Sequence, residues 1–228
     1  MDDSSSNFSA QQARIARVKH ICDQYPPVVN LTQNDVPRGT EYISPSTNLN
    51  PDFVFAQDPE FDPVARGPFL RNYGWVFTDK WAIEYAKNLK LTVDIDEDED
   101  EDEEELVQLL GGETTVDCAS ITDDSVVMQH KGLRQAVSLA VQDDIISDIE
   151  NRMGFRVFLG YPVSFDYDFM VVLCTNYNIA KRQWIIERVT RKDIDETIAT
   201  LSEIMAEPGE ESKEVMWWYA QENPIGWY

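Results

Sequence analysis

The sequence predicts an α+β fold in which a three-stranded antiparallel meander packs with about five helices and a long Pro-rich irregular arm. Apolar residues recur every four positions from Leu133 to Ile149, which predicts a long helix. Eight of the eleven prolines fall between Pro26 and Pro68, and they predict the arm. Three later segments are rich in β-branched and aromatic residues and predict the strands of the meander: 155–161, 168–175 and 183–190.

The predicted organisation runs from a flexible tail through one helix and the arm to a single core. The ranges are 1–8 for the tail, 9–23 for the helix, 24–70 for the arm and 71–228 for the core, with an acidic loop at 94–105. Ser9 and Gln12 have the spacing of a capping box at the start of the N-terminal helix. The arm carries several phenylalanines that need burial, so we expect it to wrap around the core.

The long helix of the core has recognisable end signals. Ser120 and Asp123 form a capping box, and Gly154 is suited to the left-handed conformation that closes a helix. Gly132 is a possible point of division into two helices. Four shorter elements complete the prediction: a helix capped by Thr78, a strand at 91–95, a helix capped at 190–193 and a last helix at 210–221.

Negative charge is the most unusual property of the sequence. Lys and Arg number 19 and Asp and Glu number 42, which gives a net charge of −23. Eleven of the acids lie within residues 94–105, and the rest of the chain is acidic as well. This charge repels nucleic-acid phosphates and anionic membrane surfaces and attracts basic surfaces. We therefore expect a basic protein or peptide as the partner, and neither nucleic acid nor a membrane.

The acidic run is the first candidate for partner binding. It consists of Asp94, Asp96, Glu97, Asp98, Glu99, Asp100, Glu101, Asp102, Glu103, Glu104 and Glu105. It fits capture of a basic protein surface, loose binding of Ca²⁺ or Mg²⁺ without defined geometry, or a solvated loop with no partner. It also fits docking onto a basic helix of the same chain that carries Arg14, Arg17 and Lys19.

Two adjacent tryptophans, Trp217 and Trp218, are the second candidate for partner binding. They lie on the predicted last helix, where adjacent residues cannot share a face. At least one of them should therefore point away from the main apolar stripe. Either the end of the chain folds back over it, which we favour, or it forms a docking surface.

The alternative function is a carboxylate-dependent enzyme, with or without a divalent metal. Asp166 and Asp168 could present both carboxylates on one face of a strand to a cation. They fit better as turn and strand-edge residues between the first two strands, which is the interpretation we favour. The sequence contains no phosphate loop, dinucleotide fingerprint, zinc-protease motif, nucleophile elbow or EF-hand loop. We therefore expect no cofactor, no catalytic residue and a non-catalytic scaffold that binds a basic protein.

The cysteines and the N-terminus indicate a cytoplasmic or nuclear protein. Cys22, Cys118 and Cys174 are odd in number and widely spaced, so no disulfide framework is predicted. The acidic N-terminus lacks the basic and apolar regions of a signal peptide, and no apolar run approaches the length of a membrane span. The sequence carries no indication of the oligomeric state.

Overall fold

The computed structural model describes residues 16, 19–20, 22–23, 25–32, 35, 70–95, 107–112, 114–164, 166–176, 178–207 and 210–220. Helices and antiparallel sheets are combined in these residues, so the predicted α+β class is confirmed. The chain divides into two compact units. The sheet unit comprises Met1–Val76, Phe158–Ala206 and Glu211–Tyr228, and the helical unit comprises Phe77–Val157 and Glu207–Glu210. The domain boundaries inferred from the sequence stay predictions.

Six strands and five α-helices have defined bounds within the described residues. The strands are β1 (Arg71–Phe77), β2 (Thr92–Asp94), β3 (Thr115–Asp117), β4 (Phe158–Gly160), β5 (Phe169–Thr175) and β6 (Met216–Tyr219). The helices are α1 (Asp79–Leu89), α2 (Val126–Gln129), α3 (Lys131–Met153), α4 (Ile179–Thr190) and α5 (Ile194–Ile204), with a 3-10 helix at Cys118–Ser120. Further helical residues occur between positions 16 and 23 and at 107–109.

A four-stranded sheet in the order β4-β5-β1-β6 organises the sheet unit. The strand pairs β1–β6 and β4–β5 are antiparallel. All seven residues of β5 are buried, as expected of an inner strand with both faces covered. Gly74 permits the close approach of β1 to β5, because a Cβ atom at this position would collide with the carbonyl oxygen of Val171.

Strand β1 buries side chains on both faces of the sheet. Trp75 donates a hydrogen bond from its indole nitrogen to Ser202 Oγ of α5 at 3.0 Å. Val76, the next residue of β1, belongs instead to a cluster with Met170, Val172 and Trp218. Successive residues of a strand point to opposite faces, so β1 contributes side chains to both sides of the sheet.

The first part of the arm lies along the edge of the sheet. The backbones of Val28 and Trp217 exchange two hydrogen bonds, of 2.9 and 2.8 Å. This bridge covers part of the exposed edge of β6, which would otherwise be open to pairing with another chain. The predicted wrapping of residues 36–69 lies outside the described part of the chain.

In the helical unit, α1 packs on α3, and a two-stranded ribbon of β2 and β3 accompanies them. Thr78 caps α1 as predicted, because its hydroxyl accepts a hydrogen bond from the Trp81 amide at 3.1 Å. The ring centroids of Trp81 and Tyr85 are 4.9 Å apart, and the two rings are tilted against each other. The predicted stripe of α3 is completely buried; it consists of Leu133, Val137, Val141, Ile145 and Ile149.

The predicted three-stranded meander is wrong in its last strand and in the order of its strands. Residues 183–190 belong to helix α4, in which Arg182 and Ile186, four positions apart, are buried together. The strands that join the sheet instead are β1 and β6, with β1 between β5 and β6. The helix predicted at 210–221 is also wrong, because residues 216–219 form β6. A strand places Trp217 and Trp218 on opposite faces, and both become buried.

The start of the long helix also differs from the prediction. Ser125 caps α2 by accepting a hydrogen bond from the Met128 amide, whereas Ser120 ends a 3-10 helix. The helical run is interrupted at His130 rather than at Gly132. Gly154 closes α3 in the left-handed conformation, as predicted.

Candidate functional site

The acidic run emerges from the end of the β2–β3 ribbon. β2 ends at Asp94, and β3 begins at Thr115, whose hydroxyl donates a hydrogen bond to the Asp94 carboxylate at 2.8 Å. Just beyond this pair, the Ile95 amide donates to the Thr114 carbonyl at 2.7 Å. Ile95 and Val107, which lie on the two sides of the ten consecutive acids Asp96–Glu105, are both buried. The chain that enters the run and the chain that leaves it are therefore anchored in the same unit.

The helical unit carries most of the negative charge. It contains 7 Lys and Arg residues against 23 Asp and Glu residues, a net charge of −16. The sheet unit contains 12 basic and 19 acidic residues, a net charge of −7. A cationic partner is therefore attracted more strongly to the helical unit than to the sheet unit.

Of the partner-binding candidates, the structure describes Asp94, Trp217 and Trp218. Asp94 is exposed in the helical unit, and Asp96–Glu105 lie outside the described residues. The tryptophans belong to the sheet unit and are only 7% and 8% exposed. Their burial favours a packing role, and their part in partner binding stays a prediction. The proposed folding back of residues 221–228 falls outside the described range.

Each tryptophan has an aromatic neighbour within the sheet unit. Trp217 packs on the ring of Tyr73 with the centroids 4.7 Å apart. Trp218 makes an edge contact with Tyr167 at 5.8 Å. Such pairs add to the free energy of area burial, so both tryptophans stabilise the sheet to which they belong.

Asp166 and Asp168 are both exposed and are not brought into one site. The backbone amides of Asp166 and Tyr167 donate to Ser164 Oγ at 3.1 and 3.2 Å, which is the geometry of a hydroxyl-stabilised turn. Asp166 borders a cavity of about 250 Å³ that is also lined by Cys22 and Trp218, whereas Asp168 does not line it. Within the part of the chain that the structure describes, no group of three or more His, Cys, Asp or Glu side chains could hold a metal ion.

A second cavity, of about 190 Å³, lies in the sheet unit among the side chains of α4, α5 and the sheet. Tyr73, Cys174 and Arg182 supply polar atoms to walls that are otherwise mostly apolar. Burial raises the pKa of the Cys174 thiol to about 12, although the nearby Arg182 lowers it. This thiol is therefore protonated at neutral pH and is a poor nucleophile.

A buried ion pair attaches the arm to the sheet. Arg71 Nε donates to a carboxylate oxygen of Asp35 at 3.0 Å, and Arg71 Nη2 donates to the Tyr219 hydroxyl at 2.6 Å. The Asn176 side chain donates to the Asp35 carbonyl at 2.6 Å and accepts from the Arg71 amide at 3.0 Å. Burial alone would raise the pKa of Asp35, but hydrogen bonds from Thr32 and the charge of Arg71 lower it.

This ion pair is a structural feature that sequence reasoning missed. Asp35 and Arg71 are separated by 36 positions, and no motif connects them. Arg71 was one cation among 19, and no local pattern indicates that its side chain is buried. The ion pair positions the arm and borders neither of the two cavities.

Comparisons with known proteins found no match to the chain among protein-family models, curated proteins or solved structures. Among the helices in the described ranges, none has the length and apolar character needed to cross a lipid bilayer. Functional inference therefore rests on the residues of this chain.

Proposed function

We propose that this chain is a non-catalytic acidic scaffold that binds a basic protein or peptide through the acidic run. The observation that carries this proposal is the anchoring of the run between β2 and β3, in the unit whose net charge is −16. Ten consecutive acids, Asp96–Glu105, lie between the buried residues Ile95 and Val107. A basic segment can meet several carboxylates at once, because neighbouring charges lie within the roughly 8 Å Debye length of physiological salt.

The anchoring of the acidic run also affects the affinity of the run for a basic partner. Ordering a segment on binding costs conformational entropy, and a segment fixed at both ends has fewer conformations to lose than a free tail. The hydrogen bonds of Ile95 with Thr114 and of Thr115 with Asp94 fix the side on which the chain enters the run, and the buried Val107 follows the run on the other side. The run therefore combines dense charge with a defined attachment point, which supports a binding role more than a purely solvating one.

The alternative of a carboxylate-dependent enzyme has weaker support. Only Asp166 of the predicted pair borders a cavity, and it occupies an exposed turn. Cys22 lines the same cavity, but burial and the charges of Asp23 and Asp166 raise the pKa of its thiol, which disfavours the reactive thiolate.

Two variants with equal net charge test the proposed function. In the first, Asp98, Glu99, Asp100 and Glu101 are changed to Asn or Gln. In the second, four exposed acids of the same unit but outside the run are changed to Asn: Asp123, Asp124, Asp143 and Asp144. Both variants lose four negative charges, so they differ only in where the charge is removed.

The assay is fluorescence anisotropy with a labelled peptide rich in Lys and Arg, at low and at physiological salt. Exposed ion pairs contribute about 0.2–1 kcal/mol each. Four of them amount to about 1–4 kcal/mol, so the first variant should weaken binding about fivefold or more, whereas the second should change it less than about threefold. Thermal melts of both variants should be unchanged or slightly raised, since less like charge remains. Equal weakening in the two variants would contradict a specific role of the run.

A further inference from the structure

The exposed face of α4 is basic, in contrast to the rest of this acidic protein. Lys181, Arg188 and Arg191 are exposed there against one exposed acid, Glu187, whereas Arg182 is buried and Lys192 is paired with Glu196. Lys181, Trp184 and Arg188 are exposed at spacings of three and four, which places them on one side of the helix, and the exposed Arg191 follows as its C-terminal capping residue. We refer to these four residues as the basic stripe.

The cations of the basic stripe form no ion pair with any residue that the structure describes. The salt bridges there involve Arg71, Lys87, Arg152 and Lys192. The one acid of α4, Glu187, accepts a hydrogen bond from Gln183 at 3.1 Å. As far as the described residues go, three positive charges are thus without an ion pair on a chain with a net charge of −23.

Trp184 gives the basic stripe an apolar centre. Its side chain is 57% exposed, the highest value among the large exposed apolar residues in the described ranges. The guanidinium carbon of Arg188 lies 5.0 Å from the Trp184 ring centroid, so the cation rests over the ring. No described residue accepts a hydrogen bond from the Trp184 indole nitrogen, which leaves this donor open to a carboxylate.

We propose that the basic stripe is a docking surface for the acidic run of a second copy of this chain. The two surfaces are complementary in charge, because one carries three cations without ion pairs and the other carries eleven acids within residues 94–105. Trp184 covers the aliphatic parts of the acidic side chains and donates to one of their carboxylates. The inference goes beyond the proposed function, with which it shares only the premise that the run is open to a basic surface.

The charge of the whole chain favours an acidic protein segment over a lipid surface as the occupant. A net charge of −23 opposes approach to an extended anionic membrane, which faces the entire protein. A narrow peptide segment meets only the stripe and its surroundings within a Debye length of roughly 8 Å. The three cations of the stripe therefore act on a peptide more than on a membrane.

A complementation experiment tests the assignment to a second copy. One full-length variant keeps the run but reverses the stripe with Lys181→Glu and Arg188→Glu. The other keeps the stripe but has Asp96–Glu105 changed to Asn and Gln. Sedimentation velocity at low salt should show that the wild-type chain associates beyond its 26.2 kDa monomer and dissociates at high salt. Each variant alone should be monomeric, and an equal mixture of the two should associate.

A peptide titration tests the stripe itself. A fluorescein-labelled peptide with the sequence of residues 94–105 is titrated into the full-length run-neutralised variant, in which the chain's own run cannot compete. Adding Lys181→Glu and Arg188→Glu should weaken binding about fourfold or more, because each reversal removes an attraction and adds a repulsion of about 0.2–1 kcal/mol. The charge-matched control with Lys80→Glu and Lys131→Glu, two exposed lysines of other helices, should change it less than about twofold. Trp184→Ala should weaken binding more than Leu139→Ala, a matched change at another exposed apolar residue.

Three results would overturn the proposal. The first is a wild-type chain that stays monomeric at low salt, even if the peptide binds. The second is a mixture of the two variants that does not associate. The third is a stripe-dependent association with vesicles of phosphatidylcholine and phosphatidylserine while the mixture stays monomeric, which would assign the stripe to a lipid surface. Because the stripe-reversed variant keeps its run, capture of a Lys/Arg-rich peptide by that variant tests the proposed function separately.

Discussion

Removal of the Asp35 carboxylate should destabilise the sheet unit more than removal of its partner Arg71. The Arg71 side chain is 8% exposed, and no described residue accepts a hydrogen bond from its Nη1. Asp35→Ala leaves this cation buried with the Tyr219 hydroxyl as its remaining side-chain hydrogen-bond acceptor among the described residues. Breaking a buried pair in this way costs about 3–5 kcal/mol. The Asp35 side chain is itself 17% exposed, so we expect a value near the lower limit, about 3 kcal/mol.

Removal of the Arg71 charge should lower the free energy of unfolding less than removal of the Asp35 carboxylate. Arg71→Met keeps most of the buried volume and removes the charge that is difficult to bury. The Asp35 carboxylate then still accepts hydrogen bonds from the amide and hydroxyl of Thr32, at 2.9 and 2.6 Å. We expect a loss of about 1–2 kcal/mol, and the double variant should be more stable than the sum of the single effects by about 1 kcal/mol or more.

Urea denaturation followed by tryptophan fluorescence at pH 7 measures these differences. The pKa of Asp35 lies below its ordinary value of 3.8 in the folded protein. The charge of Asp35 therefore contributes stability above about pH 4, and this contribution is lost as the pH falls through the folded pKa. Asp35→Asn should cost the same from pH 5 to 8 and less below pH 4. Strictly additive single effects, or a loss below about 1 kcal/mol for Asp35→Ala, would refute a buried ion pair.

Three further predictions concern other buried groups. Tyr85→Phe should cost about 1–2 kcal/mol of stability in urea denaturation, because the Tyr85 hydroxyl donates a hydrogen bond to Asp148 at 2.7 Å. Burial and, after it, this hydrogen bond raise the pKa of Tyr85 to about 12. The loss of stability should therefore be constant up to pH 10 and shrink above it. Asn72→Leu should raise the melting temperature, because no described residue forms a hydrogen bond with either polar side-chain atom of the fully buried Asn72; a fall would mean that the amide is satisfied. Maleimide labelling of the native protein should modify Cys22 before the two buried cysteines, and mass spectrometry of the digested protein checks the order.

Local signals in the sequence predicted the elements whose ends depend on nearby residues. The cap at Thr78 and the left-handed closure at Gly154 involve hydrogen bonds within one helical turn, so a short sequence window contains the information. The stripe from Leu133 to Ile149 likewise follows from one periodicity.

The errors arose where distant contacts decide the structure. Residues 183–190 are rich in β-branched residues, but Ile186 is buried at helical spacing against a sheet whose strands lie elsewhere in the chain. β1 was missed because its pairing with β5 and β6 joins segments about 100 and 145 positions apart.

The candidate site was predictable in part. The acidic run is visible in composition alone, whereas its anchoring through Ile95 and Thr114 required the pairing of β2 with β3. The basic stripe could not be recognised from the sequence, because residues 183–190 were incorrectly predicted to form a strand. Lys181, Trp184 and Arg188 share a face only when the segment is helical, because a strand would alternate them differently.

The central claim is that the acidic run is the surface that a basic partner contacts. Amide chemical shifts of the ¹⁵N-labelled protein, followed while a Lys/Arg-rich peptide is added, test it most directly. Proton–nitrogen signals of Asp96–Glu105 and of the β2–β3 ends near Asp94 and Thr115 should move first and most, and they should return on addition of salt. Shifts that are centred on Asp143 and Asp144, or spread evenly over all exposed acids, would contradict the claim.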